Sequence, residues 1–190
     1  LPWTLRTAHL VTTEATAILL GGVAWRREWL ERVVELGPAD ASALEERLRL
    51  ARVGELLVFT RWVLVMNGFE RALYADPDAD LDTLWWELVR RYQLLTPPDG
   101  RRAPDWAAKI HVATAPVYYH TYLYGAIVAL QIGAALEREV GGLVDRPDAG
   151  ALLRERLFAP GQSLRWDELV ERVSGAPLSV ASLAREVAAA

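Results

Sequence analysis

The sequence contains no cysteine among its 190 residues, and only one lysine against 20 arginines. The absence of cysteine excludes disulfide scaffolds, thiolate metal sites and cysteine nucleophiles. Acidic side chains outnumber basic ones by 25 to 21, which gives a net charge of −4. Because no strong positive field attracts phosphate, we expect no nucleic-acid partner. The single lysine, Lys109, stands out in a chain that otherwise uses arginine.

Apolar and polar residues in strict alternation, the pattern of half-buried strands, are also lacking. Proline and glycine divide the chain into helical segments instead. We expect Thr12 or Thr13 to cap a helix that runs to about Leu36, and Asp80 or Asp82 to begin another. The predicted fold class is all-α.

The length of the chain is that of one ordinary domain with a real core. We therefore expect residues 1–190 to form a single helical domain or subdomain, an open helical bundle. Neither a signal peptide nor a lipid anchor is recognisable, and we expect a cytoplasmic protein.

One stretch is long enough to span a bilayer, since residues 112–136 carry no formal charge. The stretch contains Pro116, His120, Gln131 and four tyrosines, most of them at one end. Polar groups of this kind need protein partners or a water-filled cleft rather than lipid. We expect a buried central helix of a protein bundle and no membrane partner.

Glu14 is the only charged side chain between Arg6 and Arg26, and its neighbours on a helix are apolar. A buried carboxylate is costly unless a cation, a metal or several hydrogen-bond donors meet it. Two interpretations are open: an ion pair with one of the many arginines, or a metal ligand.

A second group of chemically active residues lies between positions 109 and 124. This segment holds the only lysine, two of the three histidines and four of the six tyrosines. Tyr118 and Tyr119 lie four and three residues before Tyr122, so the phenols can share one helical face. Phenols and imidazoles can stabilise an oxyanion or hold a carboxylate. The alternative is that these tyrosines pack with their hydroxyls at a surface.

Several segments in fixed order resemble the angiotensin-converting-enzyme family of zinc dipeptidyl carboxypeptidases. Residues 5–15, which include His9 and Glu14, also resemble its oligoendopeptidase F and thimet-oligopeptidase relatives, and residues 116–125 look closest to the oligoendopeptidases. The resemblance rests on these segments: 5–15, 85–93, Pro97-Pro98, 108–112, Pro116 with Tyr119-x-x-Tyr122, 150–154, 160–163 and 166–170. It implies the C-terminal part of a gluzincin-type peptidase catalytic region.

The resemblance also implies a role for each candidate residue. Glu14 would be the third zinc ligand. Lys109 and Tyr119 would hold the C-terminal carboxylate of a peptide substrate, with Tyr118 as a rival for Tyr119 because the spacing from the histidine is one residue longer than in the converting enzyme. His111 would bind a substrate carbonyl, and Tyr122 would stabilise the tetrahedral oxyanion. A carboxylate suits zinc, a point cation suits a carboxylate, and neutral donors suit an oxyanion.

Two features depart from the family pattern. Thr121 stands where the family has a chloride-binding arginine, which argues against chloride activation. The sequence also lacks the motif His-Glu-x-x-His, which supplies two zinc ligands and the general base. Zinc therefore belongs to the complete enzyme, and we expect residues 1–190 alone to be inactive and to bind no zinc tightly. The missing N-terminal half would be the natural partner.

The alternative function is a non-catalytic helical interaction or regulatory module derived from a peptidase. The two hypotheses differ in their exposed apolar surface. A severed half would leave such surface open and could form homo-oligomers to cover it, whereas an evolved module would be a compact monomer.

Overall fold

The computed structural model describes residues 8–189, and this part of the chain contains helices and no strand. The predicted all-α fold class is therefore confirmed. The α-helices of the described residues are α1 (Leu10–Gly21), α2 (Arg27–Arg32), α3 (Pro38–Ala75), α4 (Leu81–Gln93), α5 (Ile110–Ala113), α6 (His120–Val140), α7 (Pro147–Leu153), α8 (Trp166–Ser174) and α9 (Ala181–Ala188). Short 3-10 segments span Gly22–Trp25 and Asp105–Ala108, and a π-helical turn spans Arg154–Phe158.

The predicted helix starts were partly right. Asp80 caps α4, because its carboxylate accepts the backbone N–H of Thr83 at 3.1 Å. The cap of α1 is His9, whose Nδ1 accepts the N–H of Val11 at 3.2 Å, whereas Thr12 lies inside the helix and donates its hydroxyl to the His9 carbonyl. The predicted helix to Leu36 is interrupted where α1 ends and the 3-10 segment begins.

The described residues divide into two compact units. The first unit comprises residues 8–53 and 124–189, and the second comprises residues 54–123. Each has its own apolar core. In the first unit, α6 contributes a stripe of buried residues four apart (Val128, Ile132 and Leu136), which packs with buried residues of α1 and α8. In the second unit, α3 and α4 enclose a core rich in aromatic rings, with Met66, Phe69, Trp85 and Val89 at its centre.

None of the helices within residues 8–189 is long and apolar enough to cross a membrane. The polar residue Gln131 of the uncharged stretch is buried in the first unit, at 8% exposure. Its Nε2 lies 2.9 Å from Ser174 Oγ, 2.8 Å from the Ala176 carbonyl and 3.0 Å from the Pro177 carbonyl. Its Oε1 accepts the N–H of Ser179 at 3.2 Å. This side chain ties the segment after α8 to α6.

We expect Gln131→Leu to lower the free energy of unfolding by about 2 kcal/mol, because the change removes all the hydrogen bonds by which this buried amide joins α6 to the segment after α8. Urea unfolding followed by circular dichroism measures the loss. Gln93→Leu is the control, since it removes one exposed hydrogen bond to the Val58 carbonyl and should cost less than about 1 kcal/mol. Equal losses in the two variants would contradict this role of Gln131.

Candidate functional site

The second unit brings four of the predicted site residues together, and we call them the tyrosine cluster: His111, Tyr118, Tyr119 and Tyr122. His111 Nε2 and Tyr122 Oη lie 3.1 Å apart, within hydrogen-bond distance. The His111 ring centroid lies 4.8 Å from that of Tyr119, 5.6 Å from that of Tyr122 and 6.0 Å from that of Tyr118. All four side chains are partly exposed. An imidazole and three phenols thus converge where a ligand can reach them.

The local backbone explains why these residues meet. The short helix α5 carries His111 and ends where the Thr114 hydroxyl donates to the Ile110 carbonyl at 2.9 Å. The chain then turns through Val117, which has a left-handed φ of 56°. The Tyr118 carbonyl accepts the Thr121 hydroxyl at 2.7 Å at the start of α6. This turn brings Tyr119 and Tyr122 back into contact with His111.

Aromatic residues of α3 form a second side of the cluster, and the sequence analysis missed them. The Phe59 ring centroid lies 6.2 Å from that of Tyr119 and 6.1 Å from that of Tyr122. Trp62, one turn further along, hydrogen bonds to the Tyr119 phenol. The sequence signal for this side was the spacing of Phe59, Trp62, Met66 and Phe69, which share one face of a helix.

Lys109 lies half-buried beside Trp62 and Trp85, whose rings, together with that of Phe59, we call the aromatic wall. Its Nζ is 5.1 Å from the ring centroid of Trp62 and 5.9 Å from that of Trp85, which is cation–π distance. Lys109 takes part in none of the salt bridges found within residues 8–189, although its charge is one of the smaller causes that lower the pKa of the Asp105 carboxyl. Trp62 therefore contacts both Lys109 and Tyr119, the two residues predicted to hold a carboxylate.

Burial raises the pKa of the Tyr119 phenol above its usual value of 10.0, and the hydrogen bond from Trp62 opposes this effect. Because the pKa is raised, there is a pH range in which the phenol is still protonated in the folded state but is already partly deprotonated in the unfolded chain. The resulting stabilisation is complete below about pH 10 and disappears as the pH rises through the folded-state pKa.

We therefore expect the free energy of unfolding to fall more steeply between about pH 9 and about pH 11 in the wild type than in Tyr119→Phe. Urea unfolding across this range gives the two slopes. Parallel slopes would show that the Tyr119 phenol titrates alike in the folded and unfolded chain.

Glu14 lies in the first unit, half-buried on α1. Its backbone passes close to α6, because a methyl group built on Gly125 would lie 2.6 Å from Glu14 Cβ and 3.1 Å from the Ala15 nitrogen. Among residues 8–189, no group of three or more histidine, cysteine, aspartate or glutamate side chains is arranged to hold a metal ion. His9 caps α1 and stacks on Trp166, with ring centroids 5.7 Å apart. Glu14 is thus a single candidate ligand.

Comparison with known proteins gives a weak and partial match. No protein-family model matches the chain. The angiotensin-converting enzymes of Rattus norvegicus and Mesocricetus auratus are each 32% identical to it over 108 residues, which cover 52% of this chain. The chain spans only about 8% of the length of these curated relatives. The match supports a distant relationship to a zinc metallopeptidase. It lends no support to the expected likeness to oligoendopeptidase F, which stays a prediction.

Proposed function

We propose that residues 1–190 are the C-terminal part of the catalytic region of a zinc-dependent peptidase, and that they supply its substrate-binding wall. The observation that carries the proposal is the convergence of Lys109 and the tyrosine cluster on one aromatic wall within the second unit. The partial similarity to angiotensin-converting enzymes supports the reaction class.

In this proposal Lys109 and Tyr119 bind the C-terminal carboxylate of a peptide. The ammonium group is a compact cation with three donors, and the phenol adds a neutral donor. Both groups contact Trp62, which favours Tyr119 over its rival Tyr118 for this role. Their cation–π and hydrogen-bond contacts hold the two donors near each other before a ligand arrives, so less conformational entropy is lost on binding.

His111 and Tyr122 act on the scissile peptide group. Tyr122 Oη is close enough to His111 Nε2 for each group to orient the other. When a substrate carbonyl oxygen replaces this mutual hydrogen bond, the phenol O–H and an imidazole N–H can both point at it and stabilise the negative charge that develops there on attack. His111 binds the substrate carbonyl, and Tyr122 stabilises the oxyanion.

Glu14 is the residue of this chain that would hold zinc. A carboxylate oxygen suits zinc, but the described residues provide no complete set of ligands. The remaining ligands and the general base would come from a His-Glu-x-x-His motif, which residues 1–190 do not contain. When bound, zinc would supply a Lewis acid and an activated water.

Nuclear magnetic resonance of the isotopically labelled chain, titrated with a short peptide, tests the proposed binding wall. We expect the largest chemical-shift changes at Lys109, His111, Tyr119 and Tyr122. A control titration with free acetate separates specific peptide binding from simple anion binding. Saturating shifts confined to other surfaces, or no shifts at all, would contradict the proposal.

A further inference from the structure

Glu70 is a buried acidic residue that the proposed chemistry does not use. It lies on α3 in the second unit and is 5% exposed. Its Oε1 accepts the backbone N–H of Val117 at a short distance of 2.6 Å. A buried carboxyl group costs free energy unless hydrogen bonds compensate for it, so this contact needs a physical explanation.

The residue at the other end of this hydrogen bond has an unusual backbone. Val117 has a φ of 56°, a conformation that is strained for a β-branched residue. Its side chain is 60% exposed, so little packing holds it in place. The hydrogen bond from the Val117 N–H to Glu70 is a contact that can hold this conformation.

The conformation of Val117 decides where the following residues point. Tyr118 and Tyr119 come directly after it, and Tyr122 lies in the first turn of α6. Without the left-handed turn, the chain would leave α5 in another direction and the phenols would not meet His111. The hydrogen bond between Glu70 and Val117 is thus placed to influence the geometry of the tyrosine cluster.

We propose that Glu70 is a positioning residue, which fixes the tyrosine cluster for peptide binding by holding the strained turn at Val117. The inference rests on the proposed function, because it takes the cluster to be the peptide-binding wall. Glu70 acts through the backbone of Val117 and does not itself touch the substrate.

The experiment compares Glu70→Leu, Glu70→Gln and the double variant Glu70→Leu/Val117→Gly with the wild type. Glutamine keeps an acceptor for the N–H, and glycine adopts a positive φ without strain. Glu55→Leu is the matched control, since Glu55 is an exposed glutamate on the same helix. The measured quantities are the hydrogen-exchange rate of the Val117 amide and the affinity for a short peptide with a free carboxylate.

We expect Glu70→Leu to raise the Val117 exchange rate and to weaken peptide binding, each by about tenfold or more. Glu70→Gln should stay within about threefold of the wild type, and Val117→Gly should restore most of the affinity lost in Glu70→Leu. A glutamate that merely fills the core would show no such rescue. The control Glu55→Leu should change neither quantity.

Unchanged exchange and affinity in folded Glu70→Leu would overturn the proposal, as would failure of Val117→Gly to restore binding. If Glu70→Leu does not fold, the double variant must fold and bind, and its failure to do so would also overturn the proposal. If the wild type binds no peptide, the proposed function fails, while the exchange rates of the Val117 region still decide whether Glu70 holds the turn.

Discussion

Replacement of Gly125 by alanine is expected to lower the free energy of unfolding by about 3 kcal/mol. A Cβ at this position would lie 2.6 Å from Glu14 Cβ and 3.1 Å from the backbone of Glu14 and Ala15. Neither obstacle is the end of a flexible side chain. Relief therefore requires α1 to move away from α6, which separates buried residues of the first core such as Val11 and Val128.

Gly150→Ala is the matched control for this prediction. Gly150 lies in α7, also in the first unit, and a Cβ there would meet no atom within 4 Å. Alanine is a better helix former than glycine, so this change should stabilise the protein by about 0.5–1 kcal/mol. Urea unfolding of both variants gives the two values. A Gly125→Ala variant as stable as Gly150→Ala would contradict the close approach of α1 to α6.

The close approach at Gly125 concerns function as well as stability. Glu14, the proposed zinc ligand, lies at the point where α1 passes Gly125. Glycine allows the backbone of α1 to approach α6 there because it has no Cβ, whereas the Cβ of any other residue would clash with α1. The position of the Glu14 backbone is thus set by a residue more than 100 positions later in the sequence.

The features that depend on local physics could be predicted from the sequence. The all-α fold class follows from helical spacing and from the lack of strand patterns, and the Asp80 cap follows from an acidic residue placed just before an amphipathic segment. The members of the tyrosine cluster could be named from their closeness in sequence, but the shared helical face expected for them is not what joins them, because Tyr118 and Tyr119 precede α6 and follow the turn at Val117.

The features that depend on tertiary contacts could not be predicted. Phe59 and Trp62 join the tyrosine cluster from a helix about 50 residues earlier, and Glu70 reaches Val117 across a similar distance in sequence. Nothing in the sequence distinguishes Glu70 from the other glutamates, because its burial results from the fold. The cap of α1 was missed for a local reason, because the His9 imidazole accepts the hydrogen bond that threonine was expected to accept.

Replacement of Lys109 by methionine is expected to weaken binding of a peptide with a free C-terminal carboxylate by about tenfold or more, because a hydrogen-bonded charge pair is worth about 1.5–3 kcal/mol. Methionine keeps an apolar stem of similar length against Trp62, so the wall itself should persist. The lost cation–π contact should cost only about 0.5–1 kcal/mol of stability.

The affinity for the matching peptide amide provides the internal control for Lys109→Met. A C-terminal amide has no negative charge to pair with the Lys109 ammonium group, so the affinity for the peptide amide should change less than about threefold in Lys109→Met. Isothermal titration calorimetry of wild type and variant with both peptides completes the cycle. A variant that loses affinity equally for the acid and the amide would show that Lys109 shapes the wall and does not recognise a carboxylate.

The most direct test of the proposed function is the affinity of the unmodified 190-residue chain for one short peptide, measured by calorimetry as the free acid and as its C-terminal amide. If Lys109 and Tyr119 form a site for a peptide carboxylate, the free acid will bind at least about tenfold more tightly than the amide. Equal affinities for the two peptides, or no binding of either, would contradict the proposal that this chain supplies the substrate-binding wall of a peptidase.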